Sequence, residues 1–172
     1  LPTLLYAHAA SESVSRPHRP DLLNVVDQAG FSELKSDMCG PVNWGSDCAV
    51  EELHRLKERF SPDKPVRVLA MSMGAAGLLN YAKSYPHELR SAVGIVPVTT
   101  WDTEWLRKAT GGSQNRLAEN VQFTYRMIIG VNDRIVGLPV TKGPNVSVDS
   151  QPGGHDLWQR VDAHRVVRAL SS

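Results

Sequence analysis

Arg67-Val68-Leu69-Ala70-Met71-Ser72-Met73-Gly74-Ala75-Ala76-Gly77 decides the fold. An apolar, partly β-branched run enters it, a serine stands at its turn, and small residues leave it. That pattern predicts a strand passing into a helix through a very tight corner, with one side chain pushed out at the tip. The positions two before and two after the serine, Ala70 and Gly74, must be small to pass such a turn. Gly77 then lets the helix lie close to its strand. A helix N-terminus also leaves N–H groups unpaired beside the serine, ready for an anion.

The composition bounds what can be built around this corner. A chain of 172 residues predicts one domain with one substantial core. Its 41% hydrophobic and 22% charged residues are those of an ordinary globular protein. With a net charge of +1 and no basic stripe, nothing points to a nucleic-acid partner. No apolar run reaches membrane-spanning length, and the first residues lack the layout of a signal peptide. Leu1 is not a start methionine, so the chain reads as processed or truncated. Cys39 and Cys48 are compatible with a disulfide across their short loop and equally with two free thiols in a cytosolic enzyme. Compartment stays nearly undetermined, with the cytoplasm slightly favoured, and oligomeric state is open.

Outward from the corner the chain alternates strands and helices. Strands are expected at residues 1–7, 31–37, 91–98, 122–130 and 145–149, and helices at 20–30, from Ser46 or Asp47 to Phe60, and at 75–85. Asp156 is expected to cap a closing helix bearing Leu157, Val161, Val166 and Leu170. Strand–helix–strand succession around Ser72 implies a right-handed parallel crossover. The fold class is therefore α/β, a mostly parallel sheet of about six strands flanked by helices. Residues 99–120 break the rhythm with Trp101, Trp105 and a polar piece, Gly111 to Asn115. They read as a short lid or pocket wall, or as a plain connecting helix with two core tryptophans.

Ser72 at its corner resembles the nucleophile elbow of the α/β-hydrolase superfamily, with Ala70 in place of the first glycine of G-x-S-x-G. Other stretches follow the superfamily's order of serine, acid, histidine. Gly130-Val131-Asn132-Asp133-Arg134-Ile135-Val136 is similar to its acid loop, and Gly153-Gly154-His155 to its histidine loop. His8-Ala9-Ala10 looks like its His-Gly-x strand end, which nominates the N–H of Ala10, with that of Met73, as an oxyanion donor. A strand-end histidine is the plainer reading of His8. Since this strand comes first, the resemblance is to a reduced form without the usual leading hairpin.

The resemblance implies a compact, esterase-like serine hydrolase working through an acyl-enzyme on a small-molecule acyl substrate, with Ser72, Asp133 and His155 as triad and no cofactor. Asp149 is the alternative acid. A thioesterase or lyase of the same fold, or a non-catalytic binding protein that kept it, stays open. His8, Met71, Trp44, Trp101 and Trp105 are the candidate pocket residues, although core packing accounts for them as well. His18, His54, His87 and His164 read as solvated. No His, Cys or acidic cluster has metal-ligand spacing, so no metal is expected.

Overall fold

The computed structural model describes residues 2–112 and 116–172; the polar residues Ser113, Gln114 and Asn115 lie outside the described residues. Six strands form one sheet: β1 (Thr3–Ala7), β2 (Ser32–Lys35), β3 (Val66–Met71), β4 (Leu89–Ile95), β5 (Thr124–Gly130) and β6 (Val146–Gln151). Their order is β2-β1-β3-β4-β5-β6 and every pairing is parallel. Five α-helices cover the faces: α1 (Pro20–Gln28), α2 (Asp47–Phe60), α3 (Gly74–Ser84), α4 (Glu104–Thr110) and α5 (Ala163–Ser171).

Strand side chains alternate between two cores, as the period of two requires. Leu5, Ala7, Val68, Ala70, Tyr125 and Met127 face the side covered by α2 and α3. Leu4, Tyr6, Leu69, Met71, Val93 and Ile128 face the side covered by α1 and α5. The register aligns the carboxyl ends: Ala7 pairs with Ala70, Met71 with Ile95, and Gly130 with Gln151. The loops after β1, β3, β5 and β6 therefore open on one edge of the sheet. Ligands of open parallel sheets bind at that edge.

Several local expectations need correction. The closing segment is two elements: a 3-10 helix at His155–Gln159, then α5 capped by Asp162, whose carboxylate accepts the His164 N–H at 3.0 Å. Asp156 caps nothing; it pairs with Arg160 one turn on. Phe60, the last residue of α2, is exposed although it continues the helix's apolar stripe. Gly77 does not serve the packing of α3 on its strand. A Cβ there would meet Met38 Cε at 2.9 Å, on the side facing the 38–45 loop. Cys39 and Cys48 are joined by a disulfide, so of the two states the sequence left open, the protein has the bonded one. Among the described residues no helix is long and apolar enough to cross a membrane.

Candidate active site

The corner at Ser72 has the strained geometry its sequence calls for. Ser72 has a φ of 49°, in the left-handed region that non-glycine residues rarely occupy. The strain is held by neighbours: the Ser72 N–H donates to Ile95 O at 2.9 Å, and its carbonyl accepts the Val98 N–H at 3.1 Å. Gly74 is required by a contact the sequence did not reveal. A Cβ there would lie 1.9 Å from the Ala7 carbonyl oxygen and 2.8 Å from that of His8. The absence of a side chain lets the N-terminus of α3 sit directly on the exit of β1.

That exit and the elbow each present a free donor. Among the described residues, the N–H groups of Ala10 and Met73 have no hydrogen-bond acceptor. Ala10 and Ser72 line one cavity.

Ser72 Oγ lies 3.0 Å from His155 Nε2, and His155 Nδ1 lies 2.8 Å from Asp133 Oδ2. The other carboxylate oxygen of Asp133 accepts the N–H groups of Ile135 and Val136 at 2.9 and 3.0 Å. Its side chain is 1% exposed, so every lone pair it uses is directed by the protein. Histidine and acid loops are laced together: the Val131 and Asn132 N–H groups donate to the carbonyls of Gln151 and Gly153. Asp149 points elsewhere, paired in bidentate fashion with Arg165 at 2.6 and 2.8 Å.

The cavity at the serine has a volume of about 120 Å³. One wall is Trp44, Trp105 and Leu106, another is Ile135 and Val136, and His18 and Trp158 close the third. The His18 and Trp158 rings meet at a tilt of 31° with centroids 5.0 Å apart, and Trp44 meets Trp105 edge-on at 6.3 Å. Thr103 fixes the α4 wall, capping the helix at Leu106 N and donating its hydroxyl to Ile135 O.

Of the expected pocket residues, Trp44 and Trp105 are in the cavity. Trp101 packs edge-on against Trp44 at 6.1 Å but lines a neighbouring cavity. Met71 is fully buried in the α1/α5 core and does not line the cavity. His8 is buried, with its ring nitrogens 2.7 and 2.8 Å from the carbonyl oxygens of Ala9 and Asp37, so it braces loops and does not line the cavity. Nor are His18 and His54 solvated histidines: His18 is a cavity wall, and His54 stacks on Tyr85 at 3.6 Å. Sequence reading missed His18 and Trp158 because one enters from a loop and the other from a single 3-10 turn, where no periodicity marks them.

Among the described residues, the one group with metal-ligand proximity is Cys39, Cys48 and Glu52. Two of its three donors are sulfurs already bonded to each other, so this is not the donor set of a metal site.

No protein-family model and no curated protein matches the chain by sequence. Solved structures do match. A monoacylglycerol lipase from Paleococcus ferrophilus superposes with a TM-score of 0.74 at 13% identity, covering 98% of this chain and 93% of the lipase. Mouse α/β hydrolase domain-containing protein 10 gives 0.68 at 14%, covering 99% and 88%. A pyrethroid hydrolase gives 0.65 at 11%, covering 99% and 96%. The chain has the α/β-hydrolase fold.

Proposed function

We propose that this protein is a serine hydrolase that cleaves a carboxylic ester with a short apolar acyl group. The observation that carries this reading is the chain of contacts from Ser72 Oγ to His155 Nε2 and from His155 Nδ1 to Asp133 Oδ2. A serine hydroxyl becomes nucleophilic when a base takes its proton, and the base needs a fixed tautomer. Asp133 accepts a hydrogen bond from His155 Nδ1–H, which leaves Nε2 free to accept from Ser72. Ser72 Oγ then attacks the acyl carbon while His155 takes its proton and passes it to the leaving alkoxide. The oxyanion would sit between the N–H groups of Ala10 and Met73. Water, deprotonated by His155, releases the acyl group and restores Ser72.

The acyl preference follows from the walls. Pockets for drug-sized ligands enclose roughly 300–1,000 Å³, well above the cavity beside Ser72. Its aromatic and aliphatic lining offers no charged partner to an acyl chain apart from the histidines. Residues 99–112, through Trp105 and Leu106, act as a wall of this small site.

A fluorophosphonate probe tests the reading. The expected result is an adduct on Ser72 that Ser72→Ala and His155→Ala both abolish, with turnover of p-nitrophenyl acetate and butyrate exceeding that of long-chain esters. A folded protein that takes no label would move the assignment to a non-catalytic member of the fold. Thioesters turned over far faster than matched oxyesters would move it to a thioesterase.

A further inference from the structure

Glu12 is a carboxylate with no solvent exposure, and the triad does not use it. Burying a carboxylate is expensive unless donors surround it, and three do. Its Oε1 accepts the Ala9 N–H at 2.8 Å and the Tyr6 hydroxyl at 2.8 Å. Its Oε2 accepts the His18 N–H at 2.8 Å, with the Tyr6 hydroxyl at 3.1 Å. Burial, then the neighbouring Glu12 charge, push the Tyr6 hydroxyl far above its ordinary pKa, so it stays a donor.

Two of these donors belong to the site described above. In the turn from Ala9 to Glu12, each N–H but one is tied: Ala9 to Glu12 Oε1, Ser11 to Pro41 O, and Glu12 to Ala9 O. The remaining one is Ala10. The carboxylate thus fixes the peptide before the free donor, while its second oxygen holds the backbone of His18 on the cavity wall.

We propose that Glu12 is a positioning residue that fixes the Ala10 N–H for the developing oxyanion and seats His18 against Trp158. This rests on the hydrolase reading for its catalytic meaning but not for its geometry. A glutamine in the same shape presents one acceptor and one donor, so either the Ala9 or the His18 N–H would face an N–H₂ group. Direct electrostatics would act the other way, since removing a nearby negative charge favours an oxyanion. A fall in rate on neutralisation therefore reports positioning.

The experiment compares wild type, Glu12→Gln and Tyr6→Phe, with kcat expressed per serine that fluorophosphonate finally labels, so unfolded protein does not count. With p-nitrophenyl acetate, Glu12→Gln is expected to lose about 10- to 100-fold in kcat, toward the range seen when one oxyanion donor is removed, with KM within about threefold. Tyr6→Phe removes a donor but leaves both backbone contacts, so its kcat should stay within about threefold while its melting temperature falls. A Glu12→Gln enzyme with unchanged or raised kcat, or equal losses in both variants, overturns the proposal. Amide hydrogen exchange supplies a readout free of turnover. In wild type the Ala9 and His18 amides should be protected and Ala10 should exchange fast. An unprotected Ala9 amide would sink the idea even if Glu12→Gln did not fold. A wild type that shows this protection but neither labels nor turns over ester refutes the hydrolase reading and leaves the anchoring role standing.

Discussion

Gly130, the last residue of β5, lies directly beneath the histidine loop at Gly154. A Cβ on Gly130 would fall 2.4 Å from the Gly154 carbonyl oxygen and 2.6 Å from that of Gly153. Real side chains never come that close, and both obstacles are backbone. The strand that delivers Asp133 and the loop that delivers His155 touch at a point where only hydrogen fits.

Gly130→Ala should therefore lift the histidine loop off the loop bearing Asp133, without touching the side chains of Ser72, Asp133 or His155. Misplacing a catalytic group by about 1 Å can cost roughly a hundredfold, so kcat for p-nitrophenyl acetate is expected to fall by about that factor. Overpacking should also lower stability by about 1–3 kcal/mol. Steady-state kinetics with a thermal melt check both, and wild-type kcat in the folded variant would refute the steric account.

Asp133→Asn and Asp149→Asn separate the two candidate acids. Asp133 holds His155 Nδ1 and two backbone N–H groups, so the amide should turn the imidazole to the wrong tautomer and lower kcat on the order of 10⁴-fold. Asp149 sits in a surface pair with Arg165, where a pair contributes about 0–1 kcal/mol of stability and no chemistry is at hand. Its variant should turn over ester within about twofold of wild type. The reverse ranking in kcat would reassign the acid.

What the sequence made legible were the features carried by local rules. Ser72 announced itself because a strained corner restricts its neighbours to small residues, and β3 and α3 followed from that. Asp133 and His155 were readable as loops after strands, and the parallel register then brought them together. Tertiary contact carried the rest. Gly74 is set by Ala7 and His8, and Gly130 by Gly153 and Gly154, pairs distant in sequence that no pattern along the chain links. Met71 and Trp101 failed as pocket residues for a related reason. Apolar side chains near a motif are read alike, but Met71 ends β3 and points into the α1/α5 core, whereas Met73 lies past the elbow beside Trp44, whose N–H meets its sulfur at 3.3 Å. Asp156 looked like a cap because it follows Gly153-Gly154, yet the 3-10 turn that places His155 takes up that position and delays the true helix to Asp162.

Stability should depend on pH through Asp21. Two bonds from the Arg19 guanidinium, at 2.9 and 2.8 Å, hold its carboxyl below the ordinary value of 3.8. A depressed folded pKa contributes stability that is complete above that ordinary value and lost as pH falls through the folded one. The effect is modest because Asp21 is largely exposed. Asp21→Asn should lower the melting temperature slightly at neutral pH, where the pair is intact, and the two profiles should converge as pH falls below 3.8. A parallel decline in both proteins would assign acid sensitivity to other groups.

The Cys39–Cys48 disulfide should act on Trp44. The loop it closes carries positive φ at Cys39, Gly40, Trp44 and Gly45, conformations the chain would not keep unaided. Inside the loop, Gly45 rests on the backbone of α3, where a Cβ would be 2.7 Å from Gly77 N, and its carbonyl accepts from Asn80 at 2.8 Å. Both cysteines are exposed, so dithiothreitol can reach the bond and take it to two thiols, itself becoming a cyclic disulfide. A closed loop of this size is worth roughly 2–3 kcal/mol, and reduction should lower the melting temperature accordingly. Ser72 and His155 do not depend on the loop, whereas Trp44 forms a wall of the cavity beside Ser72. Reduction, or Cys48→Ser, is therefore expected to raise KM for p-nitrophenyl butyrate several-fold while leaving kcat within about twofold. A loss confined to kcat would mean that the loop supports the elbow itself, through the Met73 contact, and not the pocket wall.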